Sequence, residues 1–515
     1  MNPTPNLYAR FAAHFPDPAS PLLETDAGAT LCYGEVARES ARLANCLAAA
    51  GLETGDRVSV QVEKSPEALL LYLACLRAGL VFHPLNPAYT AAELDYFLRD
   101  AAPAAVVADP ARSEELFRLG QAAGARVLHT LDAHGGGSLW PASRASADTQ
   151  RVVEVGDDSL AALLYSSGTT GKPKGIGLTH RNLGVNAEAL TRAWGFTAAD
   201  CLLHALPMFH VHGLFIALGC TLLSGSRMLF HVKFEADAVI AALPRATVMM
   251  GVPTYYTRLL NHPGLDADAC RGIRLFTSGS APLLAETLTA FEGRTGQRIL
   301  ERYGMTETSV IASNPLVGER KPGAVGLPLP GMHVRVVDDR DAPVATGEVG
   351  HVQVKGESVF HGYWRRPDKT REDFTADGWF RTGDDGFLDA DGYLSLVGRG
   401  KDLIISGGLN VYPSEVETVL DALPGVLESA VIGLPHADFG EQVVAVLVLR
   451  PSAAFDEQAT RAAVRQQLAG YKQPKQYVVV DTLPRNAMGK VQKNVLRAHY
   501  AALGEPGRPG GDEPR

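Results

Sequence analysis

The 515-residue sequence predicts an α/β protein: a large N-terminal domain of stacked α/β subdomains with a small antiparallel β unit, then a small mobile α+β C-terminal domain. Three observations predict it. Apolar Val/Leu/Ile runs alternate with longer helical patterns from about residue 28 onward. Glycine-punctuated short strands begin near residue 320, and a Gly-flanked charged segment near residue 400 introduces a fresh α+β pattern.

The alternation opens with RVSVQV (57–62), a strand. Ser65-Pro66 is a cap followed by a proline suited to a first helical turn, ahead of EALLLYLACLRAGL. Thr90 and Glu93 form a capping box that opens AELDYFLRDA, and AAVVAD (104–109) is the next strand. The rhythm returns in CLLHALP (201–207), GLFIALGCTLL (213–223), SRMLFH (226–231), DAVIAAL (237–243) and TVMMGVP (247–253), implying sheets with helices on both faces. HGGGSLWPASRASADTQ (134–150) is loop-like, an insertion because strands resume beyond it. After the antiparallel unit, EVETVLDAL, SAVIGLPH and VVAVLVL supply the second domain. The expected division is 1–399, a hinge at 400–401, 402–503, and a disordered tail at 504–515.

Composition narrows the function. With 46% hydrophobic and 20% charged residues the chain is globular. A net charge of −9 makes a poor grip for nucleic acid. No apolar stretch reaches the ~20 residues a membrane span needs, and the N-terminus lacks the continuous apolar core of a secretory signal. A cytoplasmic protein acting on small molecules is expected, with no nucleic-acid or membrane partner. The six cysteines, at 32, 46, 75, 201, 220 and 270, show no metal-like spacing and read as reduced, mostly buried thiols. His210 and His212 in FHVHG lack a third clustered ligand for zinc.

The richest stretch in chemistry is LLYSSGTTGKPKG. A buried strand runs into Ser166, Ser167, Gly168, Thr169, Thr170 and Gly171, followed by Lys172, Pro173 and Lys174. Small residues allow close backbone approach, successive N–H groups form an anion nest, and the lysines add charge. That is a loop for phosphate. It is not the P-loop of nucleoside triphosphatases: Gly168 and Gly171 are too close, and Pro173 stands where a metal-binding hydroxyl is needed.

This loop resembles the phosphate loop of the acyl-adenylate-forming superfamily, which includes acyl-CoA synthetases, luciferase and peptide-synthetase adenylation domains. Further segments match that superfamily in order: SGSAPL (278–283), ERYGMTET (301–308), GWFRTGDDG (378–386), GRGKDLI (398–404), GGLNVYPSEVE (407–417) and PRNAMGK (484–490). With FHVHG and GVPTYYTR added, the likeness is to its malonyl-CoA synthetases. The resemblance implies a ligase that uses ATP, Mg²⁺ and coenzyme A, joining malonate to the thiol through malonyl-AMP. Methylmalonate and other C2-substituted malonates stay open as substrates. So do a ligase for another small or aryl acid, and an adenylation protein that loads a carrier.

The family roles carry over by motif. Lys490 bridges the carboxylate and the α-phosphate. Its acylation by a lysine acetyltransferase, reversed by a deacetylase, would erase the charge. Glu307 holds Mg²⁺, with Thr170 a second candidate. Gly279, Ser280, Ala281, Glu301, Arg302, Tyr303, Gly304, Met305 and Thr306 surround the nucleotide, with Tyr303 stacking on adenine and Thr306 touching the α-phosphate. Asp384 receives the ribose hydroxyls, assisted by Arg399. Lys401 is the hinge for rotation of the small domain between half-reactions, and Gly407, Gly408 and Leu409 line the pantetheine tunnel.

The acid is set by Arg258, on a short helix after a strand ending at Pro253. A second carboxylate buried without a partner costs several kcal/mol, and a guanidinium binds it through paired hydrogen bonds. Arg258 matches the malonate-binding arginine of the family and is expected to face inward, with Ser280 on the same carboxylate and His210 along the pocket. The chain departs from those relatives after YGMTET, where Ser309-Val310-Ile311-Ala312-Ser313 replaces polar positions by apolar ones.

Overall fold

The computed structural model describes residues 5–166, 173–281, 283–399, 402–406, 409–436, 440–468, 470–486 and 489–504. Among these residues the chain forms four sheets. The first is six-stranded, in the order Val127–Thr130, Ala105–Ala108, Arg57–Gln61, Val81–Pro84, Leu160–Ser166, Lys174–Thr179, parallel except for its last strand. The second is nine-stranded. Its parallel centre runs Ile299–Met305, Leu275–Ser278, Val248–Gly251, Cys201–His204, Arg227–Phe230, Pro21–Thr25.

Both sheets are covered on both faces, and side-chain alternation along each strand shows how. In Cys201–His204, Leu202 packs into the inner core and Leu203 into an outer one. In Ala105–Ala108, Val107 faces inward and Val106 outward. The inner core is continuous from Val60 and Phe82 of one sheet to Met228 and Met250 of the other. It passes through Leu71, Leu190 and Leu222 of the intervening helices. Tyr72 bridges this layer, its ring 5.3 Å from that of Phe82 and 6.0 Å from that of Phe215. Each such leucine contributes about 1.5–3 kcal/mol of burial. The expected stacked α/β arrangement is thus present.

Capping fixes where the helices start. Ser65 Oγ accepts from Ala68 N at 3.1 Å, with Pro66 in the first turn. Thr90 and Glu93 close a reciprocal box on Ala91–Ala101. The apolar run after His210 opens as a π-helix, His212–Ala217, and continues as the α-helix Leu218–Ser224. Wide turns of this kind are concentrated at functional sites.

Strands Met332–Val337, Gly350–Gly356, Phe380–Leu388 and Leu394–Arg399 form the expected antiparallel unit. The small C-terminal domain is built on the antiparallel pair Val426–His436 and Gly440–Leu449, with separate apolar clusters on its two faces. It meets the large domain at three described places. Arg450 Nη2 donates to both carboxylate oxygens of Glu286, at 2.7 and 2.9 Å. Ser414 Oγ bonds the Val397 carbonyl. Gly489 faces Thr254, whose Oγ1 lies 3.3 Å from the position a Cβ would occupy.

Several expectations are corrected. Segment 134–150 contains a short helix, Leu139–Ser143, held by the fully buried Leu139. The strand before Arg258 ends at Gly251, and Pro253 opens helix Pro253–Leu260, where its missing N–H is harmless. Gly504 closes the short helix Ala501–Gly504, so the expected tail starts one residue too early; its remainder, 505–515, lies outside the described residues. Among the described residues no helix is long and apolar enough to cross a membrane. The six cysteines are free, five buried and Cys32 half-buried.

Candidate active site

In parallel sheets ligands collect beyond the carboxyl ends of the strands. Four neighbouring strands of the large sheet deliver the predicted residues to that edge. His210 follows Cys201–His204, Arg258 follows Val248–Gly251, Gly279–Ala281 follows Leu275–Ser278, and Thr306 and Glu307 follow Ile299–Met305.

Strand Ile299–Met305 divides the site. Tyr303 and Arg302 are adjacent and therefore face opposite ways. Tyr303 is buried and its hydroxyl bonds the carboxylate of Asp384, itself only 6% exposed. Asp384 stands opposite Arg399 in the register of the antiparallel unit, so three residues expected at the nucleoside share one neighbourhood. At residue 304 a Cβ would overlap the Ser309 backbone, so only glycine fits the bulge there. Glu307 is 6% exposed and lies beside Tyr363. Burial, and then the carboxylates of Glu307 and Asp373, push the Tyr363 phenol up. Lys174 sits 4.1 Å over the Tyr363 ring and 3.5 Å from Asp373, which links the exit of the predicted phosphate loop to Glu307. Ser166 ends its strand opposite Lys174. Ser167, Gly168, Thr169, Thr170, Gly171 and Lys172 lie outside the described residues.

The other face of the strand carries Arg302. Arg302 lies across Gly279, where a Cβ would overlap its guanidinium. It is 6% exposed, and Nε and Nη2 have no hydrogen-bond partner among the described residues. Burial lowers its pKa to about 10. Burial and this charge push half-buried His210 down to about 4. His212, 1% exposed, is likewise held far below its ordinary value by burial and Arg302. Its Nδ1 lies 3.4 Å from Ser280 Oγ, and Ser280 holds a left-handed backbone at φ 72°. Thr277 Oγ1, Ser278 Oγ and Ser309 Oγ are also buried without partners among the described residues. Arg302, expected with the nucleotide, therefore sits beside His210 and Gly279.

Tyr256 and Leu259 take the buried face of helix Pro253–Leu260, and Arg258, expected to face inward, is exposed. It shares a face with Thr254 one turn earlier, the residue that meets Gly489. The loop carrying Lys490 is shaped by Asn486, whose Oδ1 accepts from Lys490 N at 3.0 Å and whose N donates to the Lys490 carbonyl at 2.9 Å. Arg485 adds a bond to the Gly489 carbonyl, and Gly489 takes φ 75°. This turn brings Gly489, next to Lys490, against Thr254 on the helix that carries Arg258. Leu409 opens strand Leu409–Val411, whereas Lys401, Gly407 and Gly408 lie outside the described residues.

Residues 9–364 match the AMP-binding enzyme family, and 415–490 match the AMP-binding enzyme C-terminal domain. The chain belongs to the AMP-binding enzyme family. It is an AMP-forming acid–CoA ligase of the acyl-adenylate-forming superfamily, with ATP, coenzyme A and a carboxylic acid as substrates. It is similar to the ATP-bound crystal structure of MatB from Rhodopseudomonas palustris, at 50% identity and TM-score 0.96 over 98% of this chain and 100% of that one. The apo structure of that protein superposes with a TM-score of 0.84. Among curated relatives, a sulfoacetate–CoA ligase from Cupriavidus necator is 39% identical over 96% of this chain and 97% of its own. The malonate–CoA ligase ACSF3 of Mus musculus is 35% identical over 92% and 86%.

Sequence reasoning missed Thr254, Tyr363 and Asp373, and weighed His212 only as a metal ligand. No local signal marks the first three, because each acquires its role from a partner far along the chain.

Proposed function

We propose that this ligase joins malonate to coenzyme A through malonyl-AMP, releasing AMP and pyrophosphate. The observation that carries the reading is Arg302: a buried guanidinium with two unpartnered donors beside His210, and no carboxylate paired with it among the described residues. A cation left so costs several kcal/mol. An acid with an apolar tail would leave that cost standing, whereas the distal carboxylate of a three-carbon diacid removes it through paired hydrogen bonds. The exposed Arg258 adds charge at the rim of the same pocket. The malonate–CoA ligases among the relatives support this substrate.

In this reading adenine stacks on Tyr303 and the ribose hydroxyls donate to Asp384. The 166–174 loop, with Thr306, takes the phosphates. Glu307 fits Mg²⁺, which accepts one or two carboxylates beside phosphate oxygens and would spread the charge of the leaving pyrophosphate. The reactive carboxylate attacks the α-phosphorus as the bond to the β-phosphate oxygen breaks, and Lys490 offsets the meeting of two anions. The small domain then turns about residues 400–401, and thiol enters past 407–409 to displace AMP.

A second reading follows from the sulfoacetate–CoA ligase relative. A sulfonate is anionic, and its oxygens suit the same guanidinium. AMP release measured across malonate, methylmalonate, sulfoacetate, acetate, benzoate and a medium-chain acid, with and without coenzyme A, separates the two. Turnover of acetate or the medium-chain acid above that of malonate would refute the charged-pocket assignment.

A further inference from the structure

Lys64 lies just past strand Arg57–Gln61 of the six-stranded sheet and is 7% exposed. Its Nζ crosses into the nine-stranded sheet. There it meets His204 Nδ1 at 2.8 Å and the carbonyls of His204, Leu206 and His231 at 2.9, 3.0 and 2.6 Å. The Phe230 ring lies 4.4 Å away. An ammonium has three protons and here meets four acceptors, none of them a carboxylate. Burial pushes the pKa of this amine well below its usual value. The surrounding carbonyl dipoles work the other way.

The flanking groups also fix the tautomer of His204. Its Nε2 faces the Gly213 carbonyl at 2.9 Å, and a carbonyl only accepts, so Nε2 carries the proton. Nδ1 is left as the acceptor for Lys64. Gly213 is the second residue of the π-helix His212–Ala217, whose first residue faces Ser280. At Gly213 a Cβ would overlap the Pro207 carbonyl, so the excursion 205–212 doubles back tightly. The Ala205 carbonyl of that excursion accepts from Tyr255 Oη at 3.1 Å.

We propose that Lys64 is a positioning residue for the acid pocket: acting through His204, it fixes the start of the π-helix and so the placement of His210, His212 and Ser280. The inference rests on the acid-pocket reading above. A plain structural bolt between the sheets would lower stability and disturb both substrates alike. A positioning residue separates them, because only the acid contacts the segment it holds.

The test uses the full chain and malonate- and ATP-dependent pyrophosphate exchange. Lys64→Met should raise the KM for malonate about tenfold while the KM for ATP stays within about twofold. His204→Phe removes both ring contacts and should reproduce that split; His204→Gln, which keeps an amide donor for Gly213, should retain more malonate affinity than His204→Phe. Combining Lys64→Met with His204→Phe should add little to either change alone. Equal rises in both KM values, or an unchanged malonate KM in Lys64→Met and His204→Phe, would overturn the proposal. If Lys64→Met does not fold, the His204 pair decides by the same criterion. A wild-type chain that does not activate malonate sinks the substrate reading alone, and the split is then measured with the acid it does activate.

Discussion

The guanidinium of Arg302 rests on the backbone of Gly279, with no space between them for even a methyl group. Gly279 directly follows the strand Leu275–Ser278, which pairs in parallel with the strand of Arg302 through Ser278 and Glu301, so neither backbone can readily retreat. Gly279→Ala should therefore displace the guanidinium. We expect malonate kcat/KM to fall about 10–100-fold, and the KM for ATP to move little, in pyrophosphate exchange.

Arg302→Met removes the buried charge itself. If it is the anchor for the distal carboxylate, the cost is about 3–5 kcal/mol, or on the order of 10²–10³ in malonate kcat/KM. Arg258→Leu, at an exposed site, should cost less. The reverse order, measured over the same malonate range, would return the anchoring role to residue 258.

Lys490→Ala should abolish malonyl-AMP formation while leaving thioester formation from supplied malonyl-AMP largely intact. Single-turnover assays of the two steps check this. Equal loss in both would make the lysine a structural residue. Quantitative acetylation of the wild type should mimic the first defect.

Glu286 and Arg450 tie the small domain to the large one in the arrangement that brings Gly489 to Thr254. Their side chains are 58% and 40% exposed, so the pair contributes about 0.2–1 kcal/mol. Arg450→Ala should shift the balance of the two half-reactions toward thioester formation by no more than about fivefold. The exchange Glu286→Arg with Arg450→Glu should restore the ratio. An unaltered ratio in Arg450→Ala would mean that this contact does not bias the rotation.

Burial raises the Glu301 carboxyl to about 7, from the 4.5 usual for an exposed glutamate. Between those values the native state keeps a proton that the unfolded chain has released. Stability from this group is thus fully present below 4.5 and is lost as pH rises toward 7. Glu301→Gln should flatten that slope, gaining up to about 3 kcal/mol relative to wild type at pH 8 but not at pH 4.5. Urea midpoints of both proteins across that range test the sign.

The fold was legible where pattern and capping agree. Ser65-Pro66 and Thr90/Glu93 mark helix starts with local chemistry, and the Val/Leu runs are long enough to show both-face burial. The π-helix after His212 was not legible, because an apolar run buried on all sides has no period to read. In the site, the segments were legible but the direction of their side chains less so. Tyr256 and Leu259 claim the buried face of their helix, and the exposure of Arg258 follows from that spacing. Arg302 and Tyr303 could have been separated only by seeing that ERYGM is a strand. Lys64 and His204 are 140 positions apart, and nothing in either neighbourhood announces the other.

The placement of Arg302 and Tyr303 back to back has an engineering consequence. A single insertion or deletion inside Ile299–Met305 would turn every later side chain about, exchanging the faces on which the phenol and the guanidinium stand. Substrate range in this scaffold is thus open to exchange of side chains at fixed length and closed to length variation in that strand. A library built on such indels should return inactive protein.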